Sequence, residues 1–129
     1  MRIFRGAATP FEIADTNTFS GHALRRRLAS DNEHEGVPVV VHHVEFDPGA
    51  RTNWHRHSGP QWLLIISGRV RVQKWGEPAH DVDAGDAVAI QPGEKHWHGA
   101  APGSRGAHYA VNVNAKTDWL EPVDEKDAT

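Results

Sequence analysis

The chain has 129 residues, a length that suits one domain with its own hydrophobic core. It has no cysteine, which excludes disulfides and thiolate chemistry, and its net charge of −3 provides no basic field for nucleic acid. No stretch approaches the roughly 20 apolar residues that span a bilayer, and the N-terminus lacks the apolar core of a secretory signal. We therefore expect a cytoplasmic protein with neither a nucleic-acid nor a membrane partner.

The N-terminal part predicts an arm, a strand and a loop. Residues 1–20 mix apolar and turn-forming types and are interpreted as an arm or a short edge strand. Residues 20–30 alternate in the manner of a strand, although the four-residue spacing of Leu24 and Leu28 also permits a helix. The strand signals around this segment favour a strand, and residues 31–36 predict a polar loop.

The rest of the chain predicts a series of short strands. Residues 37–46 are rich in β-branched side chains and end at the turn signal Asp47-Pro48-Gly49. Residues 62–66 (WLLII) form a continuous apolar run, which predicts a strand covered on both faces, and Ser67-Gly68 is interpreted as the turn that ends it. Further strands are predicted at residues 69–75, 86–90 and 105–114.

Short strands punctuated by 12 glycines and 8 prolines indicate an all-β sandwich or small barrel. No repeat, linker or low-complexity block divides the chain, so we expect a single domain over residues 1–129. The charged segment at residues 124–129 is expected to fray. Two tryptophans are expected to cover the ends of the barrel or an interface: Trp75 and Trp119.

The strongest functional signal is a spaced set of histidines bounded by glycines. Its first part consists of five residues separated by fixed numbers of intervening positions. Five positions separate Gly49 from His55, one separates His55 from His57, three separate His57 from Gln61, and six separate Gln61 from Gly68. Alternate residues of a strand point to the same face, so His55 and His57 can bind one ion from one side. Gln61 can return to that face after the turn and bind the same ion. The alternative is that the Gln61 side chain only packs and does not bind the metal.

A second part of the set lies some forty positions later. It consists of Gly85, then Pro92-Gly93, two residues, His96, one residue and His98. Neutral imidazoles are common ligands of first-row divalent metals, so the pattern predicts a metal site rather than surface histidines that flank turns. The predicted ligands are His55, His57, Gln61 and His96.

These two segments resemble the two sequence motifs of the cupin superfamily. Residues 49–68 (GARTNWHRHSGPQWLLIISG) are similar to the first motif, with Gln61 where most members have glutamate. Residues 85–100 (GDAVAIQPGEKHWHGA) are similar to the second, with His96 as its ligand. The resemblance implies an all-β, double-stranded β-helix (jelly-roll) barrel that holds a metal ion in its mouth.

A narrower resemblance is to small bacterial manganese cupins of the hydroxynitrile lyase type and to cupins associated with carboxymuconolactone decarboxylases. It rests on Gln61 and on the phrases PGART, HWHGAAP and DWLEPV, and extends from about residue 37 to 123. It implies manganese first among the possible metals, with Fe, Ni, Co and Zn as alternatives. It also implies four pocket positions, which fall on Thr52, His98, His108 and Asn112, the last being glutamine in those relatives.

His98 is the predicted general acid/base. It shares strand parity with His96, so both rings are expected to face the cavity. A neighbouring dication favours the neutral imidazole, which can accept a proton from a substrate hydroxyl. The alternatives are that His98 is a fifth ligand or a hydrogen-bonding partner of the ligands.

Three further polar side chains are candidates for the pocket. His42 shares parity with Val44 and Phe46 and is predicted to enter the cavity, with His43 facing outward. The apolar pattern of residues 105–114 would leave His108 and Asn112 outside, whereas the family resemblance places them in the pocket. Thr52 can contact the substrate or cap a turn.

The function predicted from these residues is a metal-dependent lyase that cleaves or forms small cyanohydrins. Since all four predicted ligands are neutral, the ion would keep its full double charge and act as a strong Lewis acid. Three alternatives remain: an Fe(II) dioxygenase, a decarboxylase or isomerase of a small hydroxy or keto acid, and a non-enzymatic ligand binder. The expected partners are a small-molecule substrate and a second copy of the chain in a homodimer.

Overall fold

The computed structural model describes residues 1–126 and residue 128. These residues form twelve strands and one short 3-10 helix at Gly6–Ala8, with no α-helix among them. The strands are β1 (Glu12–Ile13), β2 (Phe19–Ser20), β3 (Ala23–Asp31), β4 (Val39–Phe46), β5 (Arg51–Thr52), β6 (His55–His57), β7 (Gln61–Lys74), β8 (His80–Asp83), β9 (Ala87–Ile90), β10 (His96–Ala100), β11 (Gly106–Val113) and β12 (Thr117–Trp119).

All strand pairs are antiparallel, and the main order across the sheet is β1-β3-β4-β11-β7-β10-β5-β2. Strands β8 and β9 also pair with β7, while β6 lies between β10 and β12. The sheet curls into a barrel, which confirms the predicted all-β fold. Of the segment at residues 20–30, residues 23–30 lie in strand β3 and not in a helix, because β3 pairs along its length with β4. No helix of the described residues is long and apolar enough to cross a membrane.

The long strand β7 belongs to both halves of the barrel. Its first part pairs with β11 and its second part with β10, so the chain passes from one half to the other without a turn. The predicted turn at Ser67-Gly68 is therefore wrong. Gly68 instead provides a bend inside the strand, with φ of 63°. A Cβ atom at this position would lie 1.9 Å from the carbonyl oxygen of Arg105, which only glycine avoids.

The outer face of β7 also differs from the prediction. Leu63 and Ile65 point into the core and are almost fully buried, whereas Trp62, Leu64 and Ile66 are 48, 41 and 37% exposed. The expectation of a strand covered on both faces is therefore wrong for this chain. Side chains alternate along a strand, so a continuous apolar run places half of its members on the outer surface.

Described segments near both ends of the chain pack against the barrel. At the N-terminus, β1 pairs with β3 and β2 pairs with β5, so the predicted arm contributes two short strands. At the C-terminus, Val123 and Ala128 are buried in a cluster with Trp54 and Trp97. The structure thus differs from the expected fraying at Ala128, while Asp127 and Thr129 of that predicted tail lie outside the described residues.

Replacing Gly68 with alanine is expected to lower the free energy of unfolding by at least about 3 kcal/mol, because a left-handed backbone and a backbone clash coincide there. Gly76→Ala is the matched control: its φ is 82°, but a Cβ would meet nothing within 4 Å, so a loss of about 1 kcal/mol is expected. Urea denaturation of both variants measures the difference. Equal losses would contradict the role assigned to Gly68.

Candidate metal centre

The candidate ligands come from three neighbouring strands. His55 and His57 lie on β6, Gln61 begins β7, and His96 and His98 lie on β10. His55 is directly opposite His96 in the β6–β10 pair, which brings residues 41 positions apart in sequence into contact. All five side chains are buried.

Hydrogen bonds fix the orientation of two of these rings. Nδ1 of His55 donates to the carbonyl oxygen of Asn53 at 2.9 Å, and Nδ1 of His96 donates to the carbonyl oxygen of Glu94 at 2.8 Å. Since a carbonyl only accepts, each neutral ring carries its proton on Nδ1 and leaves Nε2 as a bare acceptor. Nε2 of His96 lies 3.2 Å from Oε1 of Gln61.

Two further rings each have one nitrogen without a partner. His57 contacts Oγ1 of Thr117 through Nδ1 at 2.9 Å, and His98 contacts Nε2 of His108 through Nδ1, also at 2.9 Å. Nε2 of both His57 and His98 is buried and has no hydrogen-bond partner among the described residues. A buried unsatisfied nitrogen is costly, and coordination of a cation would remove that cost. The residues therefore fit a divalent metal ion.

The tightest cluster of histidines contains His98 in place of the predicted ligand His57. His55, His96 and His98 offer nitrogens that all lie within 4.8 Å of one another. His57 is not part of that cluster, although its unpartnered Nε2 makes it a candidate as well. The two sets share His55 and His96. His98 thus has the geometry of a ligand as well as that of an acid/base group.

Burial keeps these imidazoles uncharged. It lowers the pKa of His96 to about 4 and holds the pKa values of His55 and His98 well below their ordinary value, with neighbouring histidines adding to the effect. It also lowers the pKa of His57. Neutral rings near pH 7 are the form that binds metal, so proton release costs little when an ion binds.

The centre opens into a small cavity of about 160 Å³. Of the predicted pocket residues, His42, Thr52, His98 and Asn112 line it. His108 is fully buried and lies behind His98, not in the cavity wall. A cavity of this size suits a compact organic molecule.

Thr52 and Asn112 each form a hydrogen bond with another residue of the site, Thr52 with His98 and Asn112 with Gln61. Oδ1 of Asn112 accepts a bond of 2.8 Å from Nε2 of Gln61, which leaves Oε1 of that amide on the side of His96. Oγ1 of Thr52 accepts the backbone N–H of His98 at 3.3 Å. Asparagine at position 112 is thus long enough to hold Gln61, although it is one methylene shorter than glutamine.

His42 and His43 lie on opposite faces of β4. His42 lines the cavity, and its Nδ1 is buried without a partner. Burial lowers the pKa of His42 to about 4. His43 is on the outer face, as its parity predicts, but it is only 7% exposed because the rings of Phe11 and Tyr109 pack against it.

Sequence reasoning missed several residues of the cavity wall. Trp119 was expected at a barrel end or an interface, but its ring centroid lies 4.6 Å from that of His55. Strand pairing explains this position, because β12 pairs with β6, and no local pattern predicts that contact. Arg25 is on the same face of β3 as Ala23, and only the structure shows that this face is the inner one, because Ala23 is buried there. The missed wall residues are Phe19, Arg25, Val44, Ala110, Thr117 and Trp119.

Comparison with known proteins decides the family. A family model described as a cupin domain matches residues 42–113, more than half of the chain. The chain belongs to the cupin family. A crystal structure of a cupin-like protein from Thermotoga maritima agrees with a TM-score of 0.83 at 34% identity, covering 90% of this chain and 89% of that one.

Two relatives of this cupin carry the names of lyases. An (R)-mandelonitrile lyase from Granulicella tundricola is 42% identical over 86 residues, covering 64% of this chain and 66% of the relative. Dimethylsulfoniopropionate lyase DddW from Ruegeria pomeroyi is 33% identical over 95 residues, covering 74% of this chain and 60% of the relative. The chain thus spans under two thirds of the length of each of these relatives.

Acidification from pH 6.5 to 4 is expected to destabilise the metal-free protein. The folded pKa is about 4 for His42 and His96 and about 3 for His108, whereas the same residues in the unfolded chain titrate near 6.5. The unfolded state therefore binds more protons in this window. The free energy of unfolding should rise with pH, by up to about 1.4 kcal/mol per pH unit for each such histidine.

Urea denaturation at a series of pH values, in the presence of a chelator, measures this slope. His108→Gln should flatten it, whereas His80→Gln, at an exposed position, should leave it unchanged. A free energy of unfolding that does not change between pH 4 and 6.5 would contradict the burial of neutral histidines.

Proposed function

We propose that this cupin is a metal-dependent lyase of the hydroxynitrile lyase type, which cleaves or forms small cyanohydrins. The observation that carries the proposal is the pair of unpartnered imidazole nitrogens, on His57 and His98, beside a cavity of small-molecule size. The 42% identical (R)-mandelonitrile lyase supports this chemistry over other reactions of the fold. A cytoplasmic location remains a prediction.

The proposed ligands are His55, His57, Gln61 and His96, with manganese first and Fe, Co, Ni or Zn as alternatives. When bound, the ion would supply Lewis-acid stabilisation of negative charge on the substrate oxygen, at full double charge because all four ligands are neutral. Asn112 would support this arrangement through its hydrogen bond to the Gln61 amide.

His98 is the proposed acid/base residue. Its Nε2 would accept the proton of the cyanohydrin hydroxyl while the bond between the carbinol carbon and the nitrile carbon breaks. The bonding electrons leave with cyanide, the carbonyl of the aldehyde forms, and the proton passes from His98 to cyanide. Because burial lowers the pKa of His98, the protonated ring would release that proton readily.

Two residues are proposed to support His98, and a third is proposed to contact the substrate. His108 would hold its ring through the 2.9 Å contact at Nδ1, and Thr52 would hold its backbone. His42 would offer a further hydrogen-bonding group to the substrate, because its Nδ1 has no partner among the described residues.

Cleavage of mandelonitrile, followed by the absorbance of benzaldehyde, tests the proposal beside an oxygen electrode and elemental analysis of the purified protein. Benzaldehyde formation without oxygen uptake is the expected result. Oxygen uptake with Fe(II) would favour the dioxygenase alternative. No turnover of mandelonitrile in protein with full metal occupancy would contradict the lyase, leaving a decarboxylase, an isomerase or a ligand binder.

Alanine variants separate the roles of the two histidines with unpartnered nitrogens. His98→Ala should keep the metal and lower kcat by about 10²- to 10⁴-fold, the usual contribution of a general acid/base. His57→Ala should lower the metal content of the protein. Elemental analysis and mandelonitrile turnover of both variants give the answer. Loss of metal in His98→Ala, with full retention of metal in His57→Ala, would contradict both assignments. His98 would then be the metal ligand and His57 the candidate acid/base residue.

We also propose a homodimer, formed through the outer face of β7. Trp62, Leu64 and Ile66 form an exposed apolar row on this face, and water contact with such a row is unfavourable. Val111 on β11 and Ala89 on β9 flank Trp62 in register and extend the apolar surface.

Light scattering after size-exclusion chromatography should give a mass of twice the 14.3 kDa of one chain. Trp62→Glu should reduce this to the mass of the monomer, because a charge would be buried without a partner. Trp75→Glu is the control, since Trp75 is also exposed but lies beyond the other end of β7. A dimer that persists in Trp62→Glu would place the interface elsewhere.

A further inference from the structure

We propose that Arg25 binds a carboxylate of the substrate, so that the preferred substrate of this cavity is an anion and not a neutral cyanohydrin. The inference rests on the lyase proposed above and names the class of its substrate. Arg25 is the one formally charged side chain among the described residues that line the cavity.

The guanidinium of Arg25 has no hydrogen bond or ion pair with any described residue. Arginines on the outer surface of the barrel behave differently: Arg69 pairs with Asp83 at 2.8 Å, and Arg71 pairs with Asp81 at 2.6 Å. An arginine offers five donors in a planar fork that matches a carboxylate. Arg25 therefore has its full binding capacity available at the cavity.

No acidic side chain belongs to the described residues that line the cavity. The histidines there are neutral, and the candidate ligand Gln61 is an amide, so no other described residue of the wall carries a compensating charge. Glu12 is opposite Arg25 in the β1–β3 pair, but it is exposed, does not line the cavity and forms no ion pair with Arg25. The net charge of the chain is −3, which makes this local excess of positive charge a property of the cavity and not of the surface as a whole. Such a cavity attracts anions and concentrates them.

Arg25 lies at a distance that suits a second anchoring point. Arg25 is opposite Val44 in the β3–β4 pair, and Val44 is opposite His108 in the β4–β11 pair. Two strand spacings separate the backbones of Arg25 and His108 by roughly 10 Å. An arginine side chain spans much of that distance, so a short carbon chain would connect its carboxylate to the reacting hydroxyl beside His98.

Part of the cavity wall is apolar, which suits the hydrocarbon part of such a molecule. One hydroxyl at the candidate metal centre and one carboxylate at Arg25 would then fix both ends of the substrate. The apolar residues concerned are Phe19, Val44, Ala110 and Trp119.

The test compares 4-cyano-4-hydroxybutanoate with its methyl ester, which has nearly the same shape and no charge. Cleavage gives 4-oxobutanoate and cyanide, and a cyanide electrode follows both reactions. The wild type should show a kcat/KM at least ten-fold higher for the carboxylate than for the ester at low ionic strength. This advantage should shrink as salt is added, because salt screens the attraction.

Arg25→Gln should remove most of that ten-fold advantage and change kcat/KM for the ester by less than about three-fold, in line with the loss of a charge-assisted hydrogen bond. Arg25→Lys should restore part of it. Arg27→Gln is the matched control: it removes the same charge from the next same-face position of β3, but Arg27 is exposed and does not line the cavity. Equal kcat/KM for carboxylate and ester in the wild type would overturn the proposal without any variant.

A binding measurement separates this proposal from the lyase itself. Titration calorimetry of metal-free protein with pentanoate should show binding that weakens at least ten-fold in Arg25→Gln, whereas pentanamide should bind both proteins equally weakly. Pentanoate binding that depends on Arg25, in a protein that releases no cyanide, would support the anion site and reject the lyase. Pentanoate binding that is unchanged in Arg25→Gln, in a protein that cleaves mandelonitrile, would reject the anion site alone.

Discussion

The burial of several uncharged imidazoles at one end of the barrel is the constraint on which the rest of the structure depends. Each ring must satisfy one nitrogen inside the protein if the other is to remain free for an ion or a substrate. Asn53 and Glu94 do this with backbone carbonyls for His55 and His96, and Thr117 does it with a hydroxyl for His57. Asn53 and Glu94 lie two residues before their histidines, outside the strands, whereas Thr117 is opposite His57 in the β6–β12 pair. The local chain path therefore orients His55 and His96, and strand pairing orients His57.

Strand β7 provides the frame for this arrangement, because it pairs with β11 in one half of the barrel and with β10 in the other. Gln61 at its beginning reaches the histidines of β6 and β10, while Asn112 of β11 holds the Gln61 amide. The close approach at Gly68 allows the strand to bend between the halves.

Charge distribution gives the cavity its chemical preference. The candidate ligands carry no negative charge, and Arg25 adds a positive charge that forms no ion pair among the described residues. A bound divalent ion would therefore act in an environment that favours negative charge on the substrate, both at the reacting oxygen and at a remote group. His98, with its low pKa and its contact to His108, is suited to hold a proton only briefly in such surroundings.

The sequence alone determined the motif histidines, an all-β sandwich or small barrel and the parity of His42, because these depend on residue spacing along single strands. The resemblance to cupins implied the barrel. Only the tertiary structure decided that β7 passes through Gly68 without a turn, that Trp62 is exposed, and that Trp119 and Arg25 line the cavity. It also brought His98 into a cluster with His55 and His96. These features arise from pairing between strands distant in sequence, and periodicity within one strand carries no information about which strand lies beside it.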